Sequence, residues 1–284
     1  MPGTLYIVAT PIGNLEDITL RAVRVLKEAA VVACEDTRHT RNLLEHLGIR
    51  KPLISYHEHN EATRAAELVA KLESGLDVAL VSYAGTPLVS DPGFRIVDAA
   101  VARGIPVCPI PGPSAAIAAL AASGLPADAF RFGGFLPSKA GPRRKLLEEL
   151  REDQATLIFF EAPHRIVATL GDIEAVLGER TVVLARELTK VHEEFLRGTP
   201  AILRGVLTAR PAVKGEITVL IAKTQSRTSP ESSIEDDVAQ QVAAGLSRME
   251  AIKSVARRRG LSKREVYRLV QRGACRSSAG TGDE

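Results

Sequence analysis

The first half of the chain alternates short apolar runs with amphipathic stretches. Apolar, β-rich runs at 5–10, 31–34, 77–82 and 105–110 predict strands, and apolar residues at helical spacing predict helices after 20, over 60–72, over 94–102 and over 114–122. The strands are continuously apolar rather than alternating, as in sheets buried on both faces. This pattern predicts a mostly parallel sheet with helices on both sides.

The pattern changes after a cluster of turn-forming residues at 123–129. Strands are predicted at 156–160, 181–185, 191–196 and 216–222, with a helix over 165–177. Several of these strands lack a long helix between them, so we expect antiparallel pairing and a mixed second sheet. The expected architecture is α/β with two domains, 1–124 and 125–223, then a polar linker at 224–233, a small helical domain at 234–274 and a disordered tail at 275–284.

The small C-terminal domain has the pattern of a helix-turn-helix. One helix carries Ile252 and Val255, Gly260 marks the turn, and Ser262 with Glu265 forms a capping box that starts the next helix. Residues 248–276 contain ten Lys and Arg against two Glu, so +8 of charge lies here in a chain whose net charge is +3. This sorting predicts a polyanionic partner such as nucleic acid, although a solvated helix face would also explain it. The predicted RNA-binding side chains are Arg257, Arg258, Arg259, Lys263, Arg264, Arg268 and Arg272.

Composition excludes several classes of protein. Hydrophobic residues make up 45% of the chain and charged residues 25%, which is typical of a globular protein. No signal sequence and no apolar segment near the ~18 residues of a membrane span is found, so we expect no membrane and a cytoplasmic location. The cysteines, Cys34, Cys108 and Cys275, have no disulfide or metal-ligand spacing, and no metal is expected.

Three loops at successive strand ends, 9–14, 82–93 and 111–114, are dense in Gly and Pro. Ligands of open α/β sheets bind outside the carboxyl ends of the strands, so these loops predict a ligand crevice. Ser114 begins a helix whose first amides suit an anion or carboxylate. No GxGxxG dinucleotide motif and no GxxxxGK[ST] motif occurs, which disfavours the standard dinucleotide fold and the P-loop NTPases.

The same loops carry a resemblance to a known family. LYIVATPIGNLEDIT (5–19), EDTR (35–38), AGTPLVSDPG (84–93) and IPGPSAA (110–116) resemble the tetrapyrrole methylase superfamily, the class III S-adenosylmethionine-dependent methyltransferases. EAPHR (161–165) and ARELTK (185–190) are similar to its rRNA-modifying branch, which methylates the ribose 2'-hydroxyl of a decoding-region cytidine in 16S rRNA. Pro11-Ile12-Gly13 and Gly85-Thr86-Pro87 depart from the superfamily's usual loops, as is typical of this branch.

The resemblance implies S-adenosylmethionine as cofactor, 16S rRNA or the small ribosomal subunit as partner, and a homodimer. The implied cofactor-binding residues are Thr10, Pro11, Ile12, Gly85, Thr86, Pro87, Asp91, Pro113, Ser114, Ala115, Phe160, Glu161, Ala162, Glu187, Leu188 and Gly215.

No single side chain is singled out as the base that activates a ribose hydroxyl. The leading catalytic candidates are Glu161, Arg186, Lys190, Glu35 and Arg38. The alternatives are structural: EDTR suits a helix cap, His57 to Asn60 suits a surface loop before a helix that Asn60 caps, and Arg165 suits a salt bridge. On the catalytic hypothesis, Glu161→Ala or Arg186→Ala abolishes transfer and leaves the fold intact.

Two other functions remain open. A methyltransferase acting on a tetrapyrrole (corrin precursor) small molecule would share the fold, but it leaves the basic helices unexplained, and the 4% aromatic content offers little for stacking a macrocycle. A non-enzymatic RNA-binding assembly factor would explain the basic helices but not the three ligand loops.

Overall fold

The computed structural model describes residues 1–224 and 233–277, with side chains through Gln271. The chain divides into two compact units after Thr224. Most of the predicted linker, residues 225–232, lies outside the described residues. The disordered tail was predicted at 275–284, but residues 275–277 are helical, and residues 278–284 lie outside the described residues. The finer division of the first unit at 124/125 stays a prediction.

The first sheet is parallel throughout, as the continuous apolar runs predict. Its strands are β1 (Leu5–Val8), β2 (Val31–Cys34), β3 (Leu53–Ser55), β4 (Val78–Val81) and β5 (Val107–Ile110), in the order β3-β2-β4-β1-β5. The helices that follow them are α1 (Leu20–Glu28), α2 (Thr37–His46), α3 (Glu61–Glu73), α4 (Phe94–Ala102) and α5 (Ala115–Ser123). Two apolar cores, one on each face of the sheet, confirm the predicted three-layer arrangement.

The second sheet is mixed, which confirms the other half of the predicted fold. Its strands are β6 (Phe130–Phe135), β7 (Thr156–Glu161), β8 (Val182–Arg186), β9 (Glu194–Gly198) and β10 (Ile217–Ile221), in the order β6-β7-β10-β8-β9. Only β6 and β7 pair in parallel. The helices of this half are α6 (Ala140–Glu149), α7 (Ile166–Leu177) and α8 (Pro200–Thr208).

The strand predicted at 191–196 begins later than predicted, at Glu194. Residues 187–193 form a turn in which Glu187 and Thr189 have positive φ angles of 51° and 66°. The Glu193 carboxylate accepts a hydrogen bond from the Thr189 backbone N–H at 2.6 Å. This local bonding holds the segment out of the sheet, so that β9 begins at Glu194.

Helix α5 joins the two halves of the first unit. Its residues Ala116, Ala119 and Leu120 pack in one apolar cluster with strand residues of the second sheet, including Ile158 and Leu220. Only this side of the helix is buried, since Ile117 is 49% exposed. The packing brings the N-terminus of α5, at the end of β5, against the second sheet.

Within residues 233–277, the second unit forms three helices: α9 (Ile234–Ala243), α10 (Arg248–Arg259) and α11 (Lys263–Ser277). Val238, Ile252, Val255 and Val266 belong to its apolar core. Gly260 ends α10 in the left-handed conformation, with φ 66°. The Ser262 hydroxyl accepts from the Glu265 N–H at 3.3 Å, and the Glu265 carboxylate accepts from the Ser262 N–H at 2.9 Å, which confirms the predicted capping box.

No helix within residues 1–224 and 233–277 combines the length and the apolar character that crossing a bilayer requires.

Candidate active site

A cavity of about 400 Å³ lies where the loops after β1, β4 and β5 meet the second sheet. Its size is within the usual range for a site that holds a small organic molecule. Most of the wall is apolar, and a few polar side chains project from it. The lining residues are Ile12, Tyr83, Ala84, Gly85, Thr86, Val89, Ser90, Asp91, Ser114, Ala115, Phe135, Phe160, Glu161, Ala162, Pro163, Ala185, Leu188, Glu216, Ile217 and Thr218.

The three Gly/Pro-rich loops are bonded to each other. Thr10 and Gly85 exchange backbone hydrogen bonds of 2.9 and 3.0 Å, so the first loop pairs with the second. The Thr86 hydroxyl donates to the Pro113 carbonyl at 3.1 Å, so the second loop is bonded to the third. Gly85 has φ 83°, and a Cβ there would lie 3.3 Å from Ile12 Cγ2. The close approach of the loops therefore favours glycine at this position.

Part of the second loop is held in an uncommon backbone conformation. Leu88 and Ser90 both have positive φ, 71° and 64°, although neither is glycine. Such residues cost of order 1–3 kcal/mol each, and they cluster at ligand-binding sites. Ser90 lies beside Gly134 of β6, so the strained loop reaches the second sheet at the cavity.

Glu161, at the end of β7, forms a buried ion pair in the wall of the cavity. Its side chain is 0% exposed and lies 2.5 Å from Arg165 Nη2. It also accepts hydrogen bonds from the Thr169 hydroxyl at 2.6 Å and from the Ala162 N–H at 2.7 Å. The structural alternative for Arg165, a salt bridge, is confirmed. Because Glu161→Ala would leave Arg165 without its partner, we now expect this change to destabilise the fold as well.

Asp91 is the titratable group of the cavity whose pKa is most clearly shifted. Burial, together with the negative charge of Glu35, raises the pKa of Asp91 from 3.8 to about 6, while a hydrogen bond with Ser82 opposes the shift. A carboxylate with a raised pKa is a stronger base than an ordinary aspartate and still ionises near neutral pH. The cavity thus holds a carboxylate suited to accepting a proton.

The segment after β8 forms a network of ion pairs beside the cavity. Lys190 Nζ lies 2.8 Å from Glu187 and 2.9 Å from Glu216, and the hydrogen bond from Lys190 lowers the pKa of Glu187. Arg186 Nε lies 3.0 Å from Glu194. Hydrogen bonds from Arg210 and then Arg186 lower the pKa of Glu194 to about 2, against the effect of burial. Arg186 and Lys190 are thus occupied by structural partners and do not line the cavity.

The structure brings ten of the sixteen predicted cofactor-binding residues together in the cavity wall. The ten are Ile12, Gly85, Thr86, Asp91, Ser114, Ala115, Phe160, Glu161, Ala162 and Leu188. The other six lie next to the wall in the chain but do not form it: Thr10, Pro11, Pro87, Pro113, Glu187 and Gly215. Thr10 and Pro113 bond the loops together as described, and Gly215 packs against the Glu187 carboxylate.

Sequence reasoning missed several lining residues. Phe135 and Thr218 come from the second sheet, and Phe135 lies on β6, a strand that was not predicted. Tyr83 and Val89 belong to a loop that was predicted. The sequence could have indicated both as lining residues, because they are large apolar residues in a polar loop. Phe135 is 60% exposed and Tyr83 47% exposed, which leaves aromatic surface beside the cavity.

A second, more open recess of about 450 Å³ adjoins the cavity, and Tyr83 lines both. Two predicted catalytic residues, Glu35 and Arg38, line it, and so do Asp36, Thr37, Ser55 and His57. Asp36 caps α2 by accepting from the N–H groups of Arg38 and His39, which confirms the structural alternative for EDTR. Asn60 stands at the N-cap of α3, but its side chain bonds His57 and Ser55 instead of capping the helix.

The predicted RNA-binding side chains of the second unit fall into two groups. Arg258 and Arg259 both pair with Asp237, a buried carboxylate of α9, at 2.9 and 2.5 Å. Arg257, Lys263, Arg264 and Arg268 are exposed and form no ion pair with the described residues. The side chain of Arg272 lies outside the described part of the structure.

Within that same part, no group of three or more His, Cys, Asp or Glu side chains is arranged to hold a metal ion.

Comparison with known proteins places this geometry in a family. A family model described as Tetrapyrrole (Corrin/Porphyrin) Methylases matches residues 4–203. The chain belongs to the tetrapyrrole methylase family. Its curated relatives include proteins named Ribosomal RNA small subunit methyltransferase I from Halalkalibacterium halodurans, 49% identical over 94% of each chain, and from Micromonospora olivasterospora, 50% identical over 95% of this chain and 87% of that one.

Two solved structures share the fold over most of this chain. Uroporphyrin-III-C-methyltransferase from Thermus thermophilus aligns with a TM-score of 0.55 at 26% identity, over 78% of this chain and 94% of that one. Diphthine synthase aligns with a TM-score of 0.59 over 78% of this chain and 91% of that one, and at 19% identity this shows the fold alone. This member of the tetrapyrrole methylase family is a methyltransferase, and its cofactor is S-adenosylmethionine.

The residues of the cavity fit this cofactor. Ile12, Ala115 and Leu188 offer an apolar surface for the nucleoside, and the hydroxyl of Thr10, next to the cavity, is buried without a hydrogen-bond partner among the described residues. Ser114 does not cap α5 with its side chain, so the first amides of this nine-residue helix are available to a carboxylate.

Proposed function

We propose that this methyltransferase transfers a methyl group from S-adenosylmethionine to the ribose 2'-hydroxyl of a decoding-region cytidine in 16S rRNA. The observation that carries the proposal is the joining, in one chain, of a family cofactor cavity with an adjacent polar recess and a separate basic helical unit. The relatives named as small-subunit rRNA methyltransferases match nearly the whole chain, including that helical unit.

Methyl transfer requires the protein to align the acceptor oxygen with the methyl group, and it requires no covalent bond between the protein and either reactant. The cofactor supplies an electrophilic methyl group on a sulfonium, and the attacking oxygen must lie in line behind it. Residues of the bonded loops, Ile12, Gly85 and Thr86, hold the cavity's shape, and the apolar wall excludes water.

The acceptor hydroxyl must lose its proton as the oxygen attacks. We assign this proton to the Asp91 carboxylate, because Asp91 lines the cavity and its pKa is raised to about 6. Burial is the main cause of the raised pKa of Asp91, and the charge of Glu35 adds to it without contacting the proton. Arg186 and Lys190 act in this scheme as positioning residues for the segment after β8, not as catalytic residues.

The exposed cations of the second unit supply affinity for RNA. Arg257 lies in the last turn of α10, and Lys263, Arg264 and Arg268 lie in the first two turns of α11; none of the four has a competing ion pair among the described residues. Contacts of Lys and Arg with phosphates give binding that weakens steeply with salt. Arg258 and Arg259 serve instead to join α10 to α9 through Asp237.

A homodimer and a cytoplasmic location are parts of the same proposal. Ribosomal RNA is modified in the cytoplasm of bacteria, and family resemblance supports pairing of two chains. Sedimentation of the purified protein tests the first point, with a mass of twice 30.4 kDa expected.

The test is transfer from labelled S-adenosylmethionine to three acceptors: undermethylated small subunits, naked 16S rRNA and a corrin precursor. We expect label in the subunits or the rRNA and none in the corrin precursor, since the recess beside the cavity carries Glu35 and Asp36 and would repel a polycarboxylate. Transfer to the corrin precursor alone would refute the proposal. Transfer to no acceptor, together with RNA binding, would favour an assembly factor.

A further inference from the structure

Two buried polar atoms in the recess beside the cofactor cavity have no partner. Glu35 Oε2 and His57 Nδ1 are shielded from solvent, and neither finds a hydrogen bond among residues 1–224 and 233–277. Both residues line the same recess. A buried donor or acceptor left unpaired costs about 1–3 kcal/mol, so such a pair is typical of a site that a ligand completes.

The hydrogen bonds of Asn60 determine which atom is a donor. Asn60 Oδ1 accepts from the His57 N–H at 2.9 Å, and Asn60 Nδ2 donates to the Ser55 carbonyl at 3.1 Å, which fixes the orientation of the amide. The same Nδ2 lies 3.1 Å from His57 Nε2. Since the amide nitrogen donates, Nε2 accepts, and the ring proton is on Nδ1. The recess thus presents a carboxylate acceptor and an imidazole N–H donor.

This pair is complementary to the pairing edge of cytosine. The exocyclic N4 amine of cytosine donates and suits a carboxylate, while the adjacent ring nitrogen N3 accepts and suits an N–H group. Uracil presents the reverse at two positions: O4 would face the carboxylate, and N3–H would face the imidazole donor. We propose that Glu35 and His57 read the base of the target nucleotide and select cytosine over uracil, an inference that rests on the proposed rRNA function.

Other features of the recess suit the rest of a nucleotide. Tyr83 is half-exposed and is stacked on His39 with ring centroids 4.1 Å apart, so its ring is held as a surface on which a base can stack. Arg38 is 87% exposed and lies 3.6 Å from Asp36, which leaves its guanidinium accessible to a phosphate. An aromatic surface, a cation and a donor–acceptor pair therefore occur together.

The position of the recess matches the chemistry. Tyr83 lines both the recess and the cofactor cavity, and Glu35 is close enough to Asp91 for its charge to raise the pKa of that group. A base held by Glu35 would thus place its own ribose near Asp91. The base-reading pair and the proton acceptor serve the same nucleotide.

The experiment compares small subunits that carry the mapped target cytidine with subunits that carry uridine at that position. For the wild-type protein we expect kcat/KM to favour cytidine by about tenfold to a hundredfold, the range for a hydrogen bond to a charged group. Glu35→Gln retains the shape but adds an amide N–H that donates to uracil O4, so the preference should fall to within about threefold. Glu35→Ala, which removes the repulsion of O4, should lower it in the same direction.

Controls separate base reading from damage to the fold. Glu58→Gln changes an exposed carboxylate in the neighbouring turn and should keep the wild-type preference. Affinity for S-adenosylmethionine by calorimetry should be equal in all four proteins. If a Glu35 variant is too slow to assay, the ratio of dissociation constants for the two subunits, measured with S-adenosylhomocysteine, gives the same comparison.

The outcomes distinguish the two claims. A wild-type preference for cytidine that persists in Glu35→Gln and Glu35→Ala overturns the base-reading role and leaves the rRNA function standing. Equal use of cytidine and uridine by the wild-type protein also overturns it. Absence of transfer to either subunit by the wild-type protein refutes the rRNA function itself.

Discussion

Replacing Glu161 tests how far the cavity wall depends on a buried ion pair. Glu161→Ala removes the partner of Arg165, whose side chain is only 19% exposed, and its Nε already lacks a hydrogen-bond partner among the described residues. Breaking a buried pair by removing one partner costs about 3–5 kcal/mol. The Thr169 hydroxyl and the Ala162 N–H lose their acceptor as well. We therefore expect the free energy of unfolding to fall by about 3–5 kcal/mol.

Urea unfolding followed by tyrosine fluorescence measures this loss. The chain has no tryptophan, and three of its four tyrosines, Tyr6, Tyr56 and Tyr83, belong to the first unit, so the signal reports on the unit that contains Glu161. In a unit of this size the change corresponds to a fall in Tm of about 10 °C. Glu161→Gln, which keeps one acceptor oxygen, should cost less, about 1–3 kcal/mol.

The matched control is Glu174→Ala, a change in the α7 helix. Glu174 pairs with Arg204, but the two side chains are 37% and 45% exposed, so its loss should cost less than about 1 kcal/mol. If Glu161→Ala destabilises the protein no more than Glu174→Ala does, the assignment of Glu161 as a buried structural anion is wrong.

Four further expectations concern Asp91, Gly133 and Arg264. Because the folded-state pKa of Asp91 is raised from 3.8 to about 6, ionisation of Asp91 opposes folding above pH 6. Asp91→Asn should therefore raise Tm above pH 6, and the difference in Tm from the wild-type protein should disappear towards pH 4. A lower Tm for the variant at pH 7 would contradict this prediction. In the wild-type protein, transfer should fall as the pH drops through about 6, and a flat profile between pH 5 and 8 would exclude Asp91 as the base. Gly133→Ala places a Cβ against the Phe159 ring and should cost about 1–3 kcal/mol in urea unfolding, whereas Gly141→Ala, which meets nothing within 4 Å, should not. Arg264→Ala should reduce the slope of log K for rRNA binding against log salt by about 1, and an unchanged slope would remove Arg264 from the interface.

Sequence patterns predicted the elements whose burial is regular. The strands β1, β2, β4 and β5 and the helices α4, α5 and α7 follow from continuous apolar runs and from helical spacing, since their burial depends on their own sequence. Strand β3 was not predicted, because its three residues are only partly buried. Strand β6 was not predicted, because Gly133 and Gly134 interrupt its apolar pattern. Its register with β7 shifts between Phe132 and Phe135. Glycine is required at position 133 because a Cβ there would overlap the Phe159 ring, which belongs to a strand more than twenty residues away in the sequence.

The chemistry of the site was harder to predict, because partners distant in sequence determine it. Arg258 and Arg259 were expected to be RNA ligands from their local charge alone, and nothing local indicates that Asp237 is buried beneath them. His57 was expected to lie in a surface loop, whereas the bonds of Asn60 to Ser55 and His57 build part of the recess. The three cofactor loops were predictable because strand ends of a parallel sheet lie at one edge.

The central claim is that the acceptor atom is the ribose oxygen of a cytidine in 16S rRNA. A methyl group on the 2'-oxygen blocks alkaline cleavage of the next phosphodiester, because that cleavage needs a free 2'-hydroxyl. After transfer from labelled S-adenosylmethionine to undermethylated small subunits and alkaline hydrolysis of the rRNA, the label should therefore remain in a dinucleotide whose 5' residue is cytidine. Label recovered in mononucleotides, in a dinucleotide that begins with another base, or not in RNA at all would contradict the account.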